Sequence, residues 1–356
     1  MRRSRRARAA EVESLRLLGQ LRRDLGDTEG ALEAFDRALA RAGLEQEHLS
    51  ARGMTLVQKA SLLWRAGAYD RAIESAAEGL AIARRLGHKG HQASALNLLG
   101  VSLASQGELE DAIACIRASI VLDRAAGDRI YVGRKCSNVG QMHAELGDTD
   151  RALELIHRAL EVFDRADDLP ARTDTLAALA EILLEQKGEL DEARRALDDS
   201  LRIATRLGDP NDMAHERVVR AEWHLAAKDY RAAATAAEEA ARHARTAGTA
   251  GYELHGKALQ ALALAELGEK DEARAILDEA DRATRSGPVE RGERVLGWLA
   301  RTARLVGDAD RGAALARRAE GFVVARAEHL RDPDLRERYL ASPVVRAVRA
   351  ELAPTA

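Results

Sequence analysis

The sequence predicts an all-α chain, a solenoid of helical hairpins stacked one upon the next, and three observations predict it. A glycine returns at Gly26, Gly67, Gly107, Gly147, Gly188, Gly268 and Gly307, with Lys228 once in its place. Counting Lys228, the successive steps are 41, 40, 40, 41, 40, 40 and 39 residues, and a step so constant marks an array of short supersecondary units. Small residues keep register with that turn. Ala31, Ala72, Ala112, Ala152, Ala193, Ala233, Ala273 and Gly312 follow it; Gly19, Ala60, Gly100, Gly140, Ala180, Ala221, Ala261 and Ala300 precede it. Small residues on facing helices let two backbones approach, where a leucine would overpack by roughly 1–3 kcal/mol. Finally, 46% of residues are hydrophobic but only 3% aromatic, so the core must be built from Ala, Leu, Val and Ile on helices.

The stretch "LNLLGVSLASQGELEDAIACIRASI", from Leu96 to Ile120, shows one unit: a helix, a stop at Gly107, and a second helix. The turns read "QGELEDA", "LGDTDRA", "KGELDEA" and "LGEKDEA". In each, glycine predicts a left-handed cap, and the acidic residue after it suits the positive start of the next helix. A second punctuation at Gly87, Gly127, Gly208, Gly248 and Gly287, with Pro170, Pro210 and Pro288 nearby, closes each pair. Units one to four, from about Glu11 to Asp167, are the most regular. The fifth carries one extra residue ahead of its turn, the sixth has Lys228-Asp229 for the glycine, and the eighth has Gly312 at the alanine place.

Both ends depart from the pattern. Residues 1–10 hold five arginines among the first eight and are expected to be a disordered basic tail. Residues 11–320 form the array. From Gly321 the repeat stops, and Pro333 and Pro343 are expected to cut residues 321–356 into about three short helices, opened by Asp332 or Ser342. Phe322, Leu330, Leu335, Tyr339, Leu340 and Val345 would make them an apolar lid over the last unit.

The order Leu18-Gly19, Gly26, Ala31, Phe35, Ala38 resembles the tetratricopeptide repeat, and Leu99-Gly100 with Ala112 and Ile116, and Val139-Gly140 with Ala152, Ile156 and Ala159, repeat it. The usual period of that repeat is ~34 residues. The longer step here resembles the variant with extended helices found in kinesin light chains and in several bacterial regulators; HEAT-type repeats share the step without the Leu-Gly spacing. The resemblance implies a right-handed superhelical α-solenoid of about eight tetratricopeptide-like pairs with C-terminal capping helices. "RERYLASPVVRAV" is loosely similar to the tail of bacterial multidomain signalling proteins that place an ATPase, kinase or cyclase ahead of a repeat array.

Catalytic chemistry finds no footing in the sequence. No phosphate-binding glycine loop is present, since the glycines are used by turns. His215 and His224 are nine residues apart, not at the i, i+4 spacing of a zinc helix, and read as ordinary helix-surface or packing histidines. No metal, cofactor or enzymatic activity is expected. A formal charge of −3 argues against nucleic acid as the main partner. Cys115 and Cys136 inside repeat helices, with no bilayer-spanning run and no apolar leader near Met1, lead us to expect a cytoplasmic protein and no membrane partner.

What remains is a groove. In the superhelix that the resemblance implies, the first helix of each pair lines the concave face, which would carry Arg16, Gln20, Arg23, Ser61, Trp64, Asn97, Ser137, Gln141, Glu181, Glu222, Arg301 and Arg304. Such a track would be basic at both ends and acidic between, and would select a peptide by charge register, with Trp64 or Asn97 as anchors. The expected function is thus a non-catalytic scaffold or sensor module that binds a peptide or partner protein, as the C-terminal part of a bacterial signalling or transcriptional regulator. The alternative is a nucleic-acid-associated regulator acting through the arginine tail, and pairing of two copies is left open.

Overall fold

The computed structural model describes residues 2–43, 48–287 and 289–352, and the side chains from residue 7 onward. Pro288 and the side chains of Arg2, Arg3, Arg5 and Arg6 lie outside the described residues. Among the described residues there is no strand. The helices are α1 (Arg2–Asp24), α2 (Thr28–Ala42), α3 (Leu49–Arg65), α4 (Tyr69–Leu86), α5 (Lys89–Ser105), α6 (Leu109–Ala126), α7 (Arg129–Glu145), α8 (Thr149–Ala166) and α9 (Leu169–Ile182). They continue as α10 (Leu190–Leu207), α11 (Pro210–Ala226), α12 (Tyr230–Ala247), α13 (Ala250–Leu267), α14 (Lys270–Ser286), α15 (Gly292–Leu305), α16 (Ala309–His329), α17 (Pro333–Leu340) and α18 (Pro343–Ala350). From α1/α2 to α15/α16 they form eight successive pairs. The chain divides into two compact units, residues 1–104 with 111–131, and residues 105–110 with 132–356.

The small-residue register is the packing register. A Cβ at Gly19 would stand 2.5 Å from Cε1 of Phe35, and one at Gly100 would stand 2.5 Å from Ile116 and 3.0 Å from the Ala112 carbonyl oxygen. At Gly140 the nearest atoms are the Ala152 carbonyl and Ile156, at 3.1 Å. The alanine facing each of these glycines is fully buried. The turn glycines have φ between 68° and 91°, the left-handed caps the spacing predicts. Beyond them Asp27, Asp229 and Asp308 accept a backbone N–H from Gly30, Ala232 and Arg311, closing the start of the second helix.

The irregular units show what each irregularity does. The extra residue of the fifth unit is absorbed by a π-helical turn, Leu183–Lys187, between α9 and Gly188; an insertion inside a helix takes this form because one residue fits only if the hydrogen bonds span five. Lys228 keeps the left-handed conformation at φ 60°, and Asp167 fills a second-punctuation place in the same way at φ 53°. Left-handed geometry costs a residue with a Cβ roughly 1–2 kcal/mol. Lys228→Gly is therefore expected to stabilise the second unit by about 1 kcal/mol, read as a rise in the urea midpoint at constant slope.

The ends differ from expectation. Helix α1 begins at Arg2, so the first residues are helical where a disordered lead-in was expected. α16 continues through Gly321 to His329, because nothing in "GFVVARAEH" breaks a helix, which leaves two short capping helices rather than about three. Asp332 caps α17 and Ser342 caps α18 as expected. Leu330, Tyr339 and Val345 are buried, whereas Phe322, which lies against Gly292, remains 37% exposed.

Candidate functional site

In the first unit the residues expected to line a groove are only partly available. Arg16 is 8% exposed; it is held by Glu13 and donates to Oε1 of Gln58 at 3.3 Å, which ties α1 to α3. Arg23 pairs with its neighbour Asp24, while Gln20, Ser61 and Trp64 are half-buried. Asn97 on α5 is half-buried, and its Oδ1 is buried without a hydrogen-bond partner. An amide oxygen in that state costs free energy until something donates to it.

The second unit is organised otherwise. Ser137 is buried and accepts a hydrogen bond from the Thr175 hydroxyl at 3.2 Å; Gln141 is half-buried. Arg301 is exposed and paired with Glu266, and Arg304 reaches Glu351 beyond α18 at 3.0 Å. Glu181 and Glu222 do not form an open acidic track. Glu181 is buried and Glu222 is partly buried, at a side-chain exposure of 10%, and both accept from Arg294 at the start of α15. A charge held in the interior must be paired, and this pairing is what turns the expected acidic surface inward.

Around that pair lies a connected charge cluster. Arg294 also donates to Glu185 at 3.0 Å, and Arg291 donates to Glu181 and, at 3.0 Å, to Glu145 on α7. Arg326 of α16 joins Glu145, at 3.3 Å, to Glu293. Arg294 stands 5.3 Å over the ring of Trp298, and Trp298 meets His255 edge-on. Burial alone would raise every carboxyl here. At Glu181 it is outweighed by Arg291 and Arg294, which hold the carboxyl far below its usual range. At Glu222 burial wins, helped by Glu181 and Glu185, and pushes the carboxyl up to about 7; Glu185 is raised for the same reason. Burial beside Arg291 pushes His255 down to about 3.

His215 sits next to this cluster. Burial disfavours its charge, but Nδ1 lies 2.7 Å from Asp174 and that carboxylate raises the imidazole on balance, while the ring stacks on Tyr252. His224 lies edge-on against Trp223. Among the described residues no group of three or more His, Cys, Asp or Glu could hold a metal ion, and no helix is long and apolar enough to cross a membrane.

A cavity of about 360 Å³ opens beside Arg294, walled by Glu222 and Leu225 of α11, Leu259 and Leu262 of α13, Trp298 of α15 and Val344 of α18. Sequence reasoning missed its cationic side. Arg291, Arg294 and Arg326 were never singled out, and the one available signal was the charge-dense "VERGER" where a hairpin turn should be. Nothing local to that run names Glu181, more than a hundred residues earlier, as its partner.

Helices paired through small residues at a step near 40 define a protein of stacked helical hairpins. The chain is a tetratricopeptide repeat protein: two sequence models of the tetratricopeptide repeat match residues 57–128 and 134–206. No protein of curated function matches it in sequence. Among solved structures it is similar to a Rap protein complexed with competence and sporulation factor, at 16% identity over 90% of this chain and 76% of the other, with a TM-score of 0.59. Aspartyl phosphate phosphatase F from Bacillus subtilis matches at 14% identity, 80% and 72% coverage and a TM-score of 0.60. The Rap conjugation gene regulator of plasmid pLS20, in complex with the Phr* peptide, matches at 15% identity, 82% and 75% coverage and 0.59. Likeness at this identity is likeness of fold.

Proposed function

We propose that the chain is a non-catalytic interaction module that docks a peptide or a segment of a partner protein on the first helices of its repeats, within a cytoplasmic bacterial signalling or transcriptional regulator. The observation that carries the reading is Asn97: on a first helix of the array, its amide oxygen is buried and lacks a donor, which a peptide N–H would supply. Gln20, Ser61 and Trp64, half-buried on α1 and α3, would flank the same chain, and Gln141 on α7 would play the corresponding part in the second unit. The Rap regulator solved with the Phr* peptide supports this use of the fold, since it is a protein of similar architecture with a peptide bound.

A photo-crosslinking amino acid tests the assignment of faces. Placed at Trp64 or Gln141 it is expected to trap one discrete partner in cells, and placed at the exposed Glu74 or Arg158 on second helices it is expected to trap none. Adducts from the second helices alone, or equally from both sets, would remove the groove assignment.

A further inference from the structure

The cluster beside the cavity holds more acid than base. Five carboxylates, Glu145, Glu181, Glu185, Glu222 and Glu293, are joined by ion pairs to three guanidiniums, Arg291, Arg294 and Arg326. Arg294 alone is divided among three of them. Glu293 lines the cavity and is 2% exposed; one oxygen takes Arg326, and Oε2 is buried with no partner. An unpaired carboxylate oxygen held in the interior costs more than a neutral acceptor in the same place, and a donor carrying positive charge relieves it best.

The walls limit what form that donor takes. Leu225, Leu259, Leu262 and Val344 give the cavity an apolar body, and its volume lies within the ~300–1,000 Å³ range of small-ligand sites. The other cation at the wall, Arg301, is already engaged by Glu266, so an anion would find no free counter-charge there. We propose that this cavity binds a cationic alkyl group, a primary ammonium or guanidinium on a short aliphatic chain, with the charged end among Glu185, Glu222 and Glu293 and the chain against Leu225, Leu262 and Val344.

This deepens the docking reading above and rests on it only in part: the cation could arrive as a free small molecule or as the Lys or Arg side chain of a docked peptide. Burial keeps Glu222 and Glu185 inclined to hold a proton, Glu222 up to about 7, so an incoming cation displaces it. Binding therefore strengthens as pH rises, by up to about tenfold per pH unit where one proton is released.

Calorimetric titration of the full chain with n-butylguanidinium and n-butylammonium tests the site, with n-butylurea as the neutral counterpart and acetyl-Gly-Arg-Gly-amide as the peptide form. Saturable binding of the cations, tighter at pH 8 than at pH 6 and absent for the urea, is expected. Glu222→Gln should weaken it about tenfold or more. Ala347→Trp, on an exposed position of α18 at the cavity wall, should abolish it while the helical spectrum and unfolding midpoint stay unchanged. A blocked peptide that outbinds n-butylguanidinium identifies a side-chain source, and one that does not identifies a free cation. No binding by any cation, equal binding of the urea, or indifference to both substitutions overturns the proposal. Should crosslinks from Trp64 persist in that event, the docking reading survives without it.

Discussion

Gly100→Leu is expected to destabilise the first unit by about 2–3 kcal/mol, while Gly90→Ala on the same helix is expected to stabilise it by about 0.5–1 kcal/mol. Both residues lie in α5 and both are glycines in a helix, so propensity favours replacing either. What separates them is the neighbour. At Gly100 a Cβ meets the Ala112 carbonyl at 3.0 Å and the fully buried Ile116 at 2.5 Å. Ile116 has nowhere to turn, and the carbonyl moves only if α5 and α6 part, which breaks the contact that joins the pair. At Gly90 a Cβ meets nothing within 4 Å. Equilibrium urea unfolding of the two variants measures the contrast. A loss under about 1 kcal/mol at position 100 would mean that the helices do not touch there, and the small-residue register would lose its physical meaning.

Local geometry was legible because it is written locally. A stop at Gly107, a cap at Asp27, a helix opened by Ser342 and a close approach at Gly100 each depend on residues within about twenty positions, and the chain states each one many times over. The extra residue in the fifth unit was also visible; its resolution into a π turn at Leu183–Lys187 follows from keeping Ala180 and Ala193 in register on either side. The site was legible only by half. Glu181 and Glu222 lie on the first helices where the resemblance puts groove residues, but their state depends on Arg291 and Arg294, which come from the start of the eighth pair. Surface potential inferred from the first helices alone gave an acidic track, and the guanidiniums that bury it are specified by tertiary closure rather than by spacing. Arg304 fails for the same reason: Glu351, its partner, lies beyond the repeats.

Removing Arg294 should expose how that closure is held. Arg294→Met keeps the aliphatic volume and deletes the charge on which Glu181, Glu185 and Glu222 converge, and the expected cost is about 3–5 kcal/mol at pH 8 because carboxylates are left buried without a cation. The cost should shrink as pH falls towards 5. Glu222 has a folded pKa of about 7 against roughly 4.3 unfolded, so its contribution is fully present below the unfolded value and lost as pH rises through the folded one. Without Arg294 the carboxyls of Glu222 and Glu185 move higher still, and Glu181, although Arg291 remains, loses part of what holds it down. Protonation then supplies at low pH what the guanidinium supplied at high pH. Urea unfolding of the parent and the variant across pH 5–8 measures the difference directly, and Glu222→Gln in the variant background should recover part of the loss at pH 8 and little at pH 5. A loss of the same size at both ends of the range would show that Arg294 stabilises the unit by packing against Trp298, and that the carboxylates around it are solvated rather than bound.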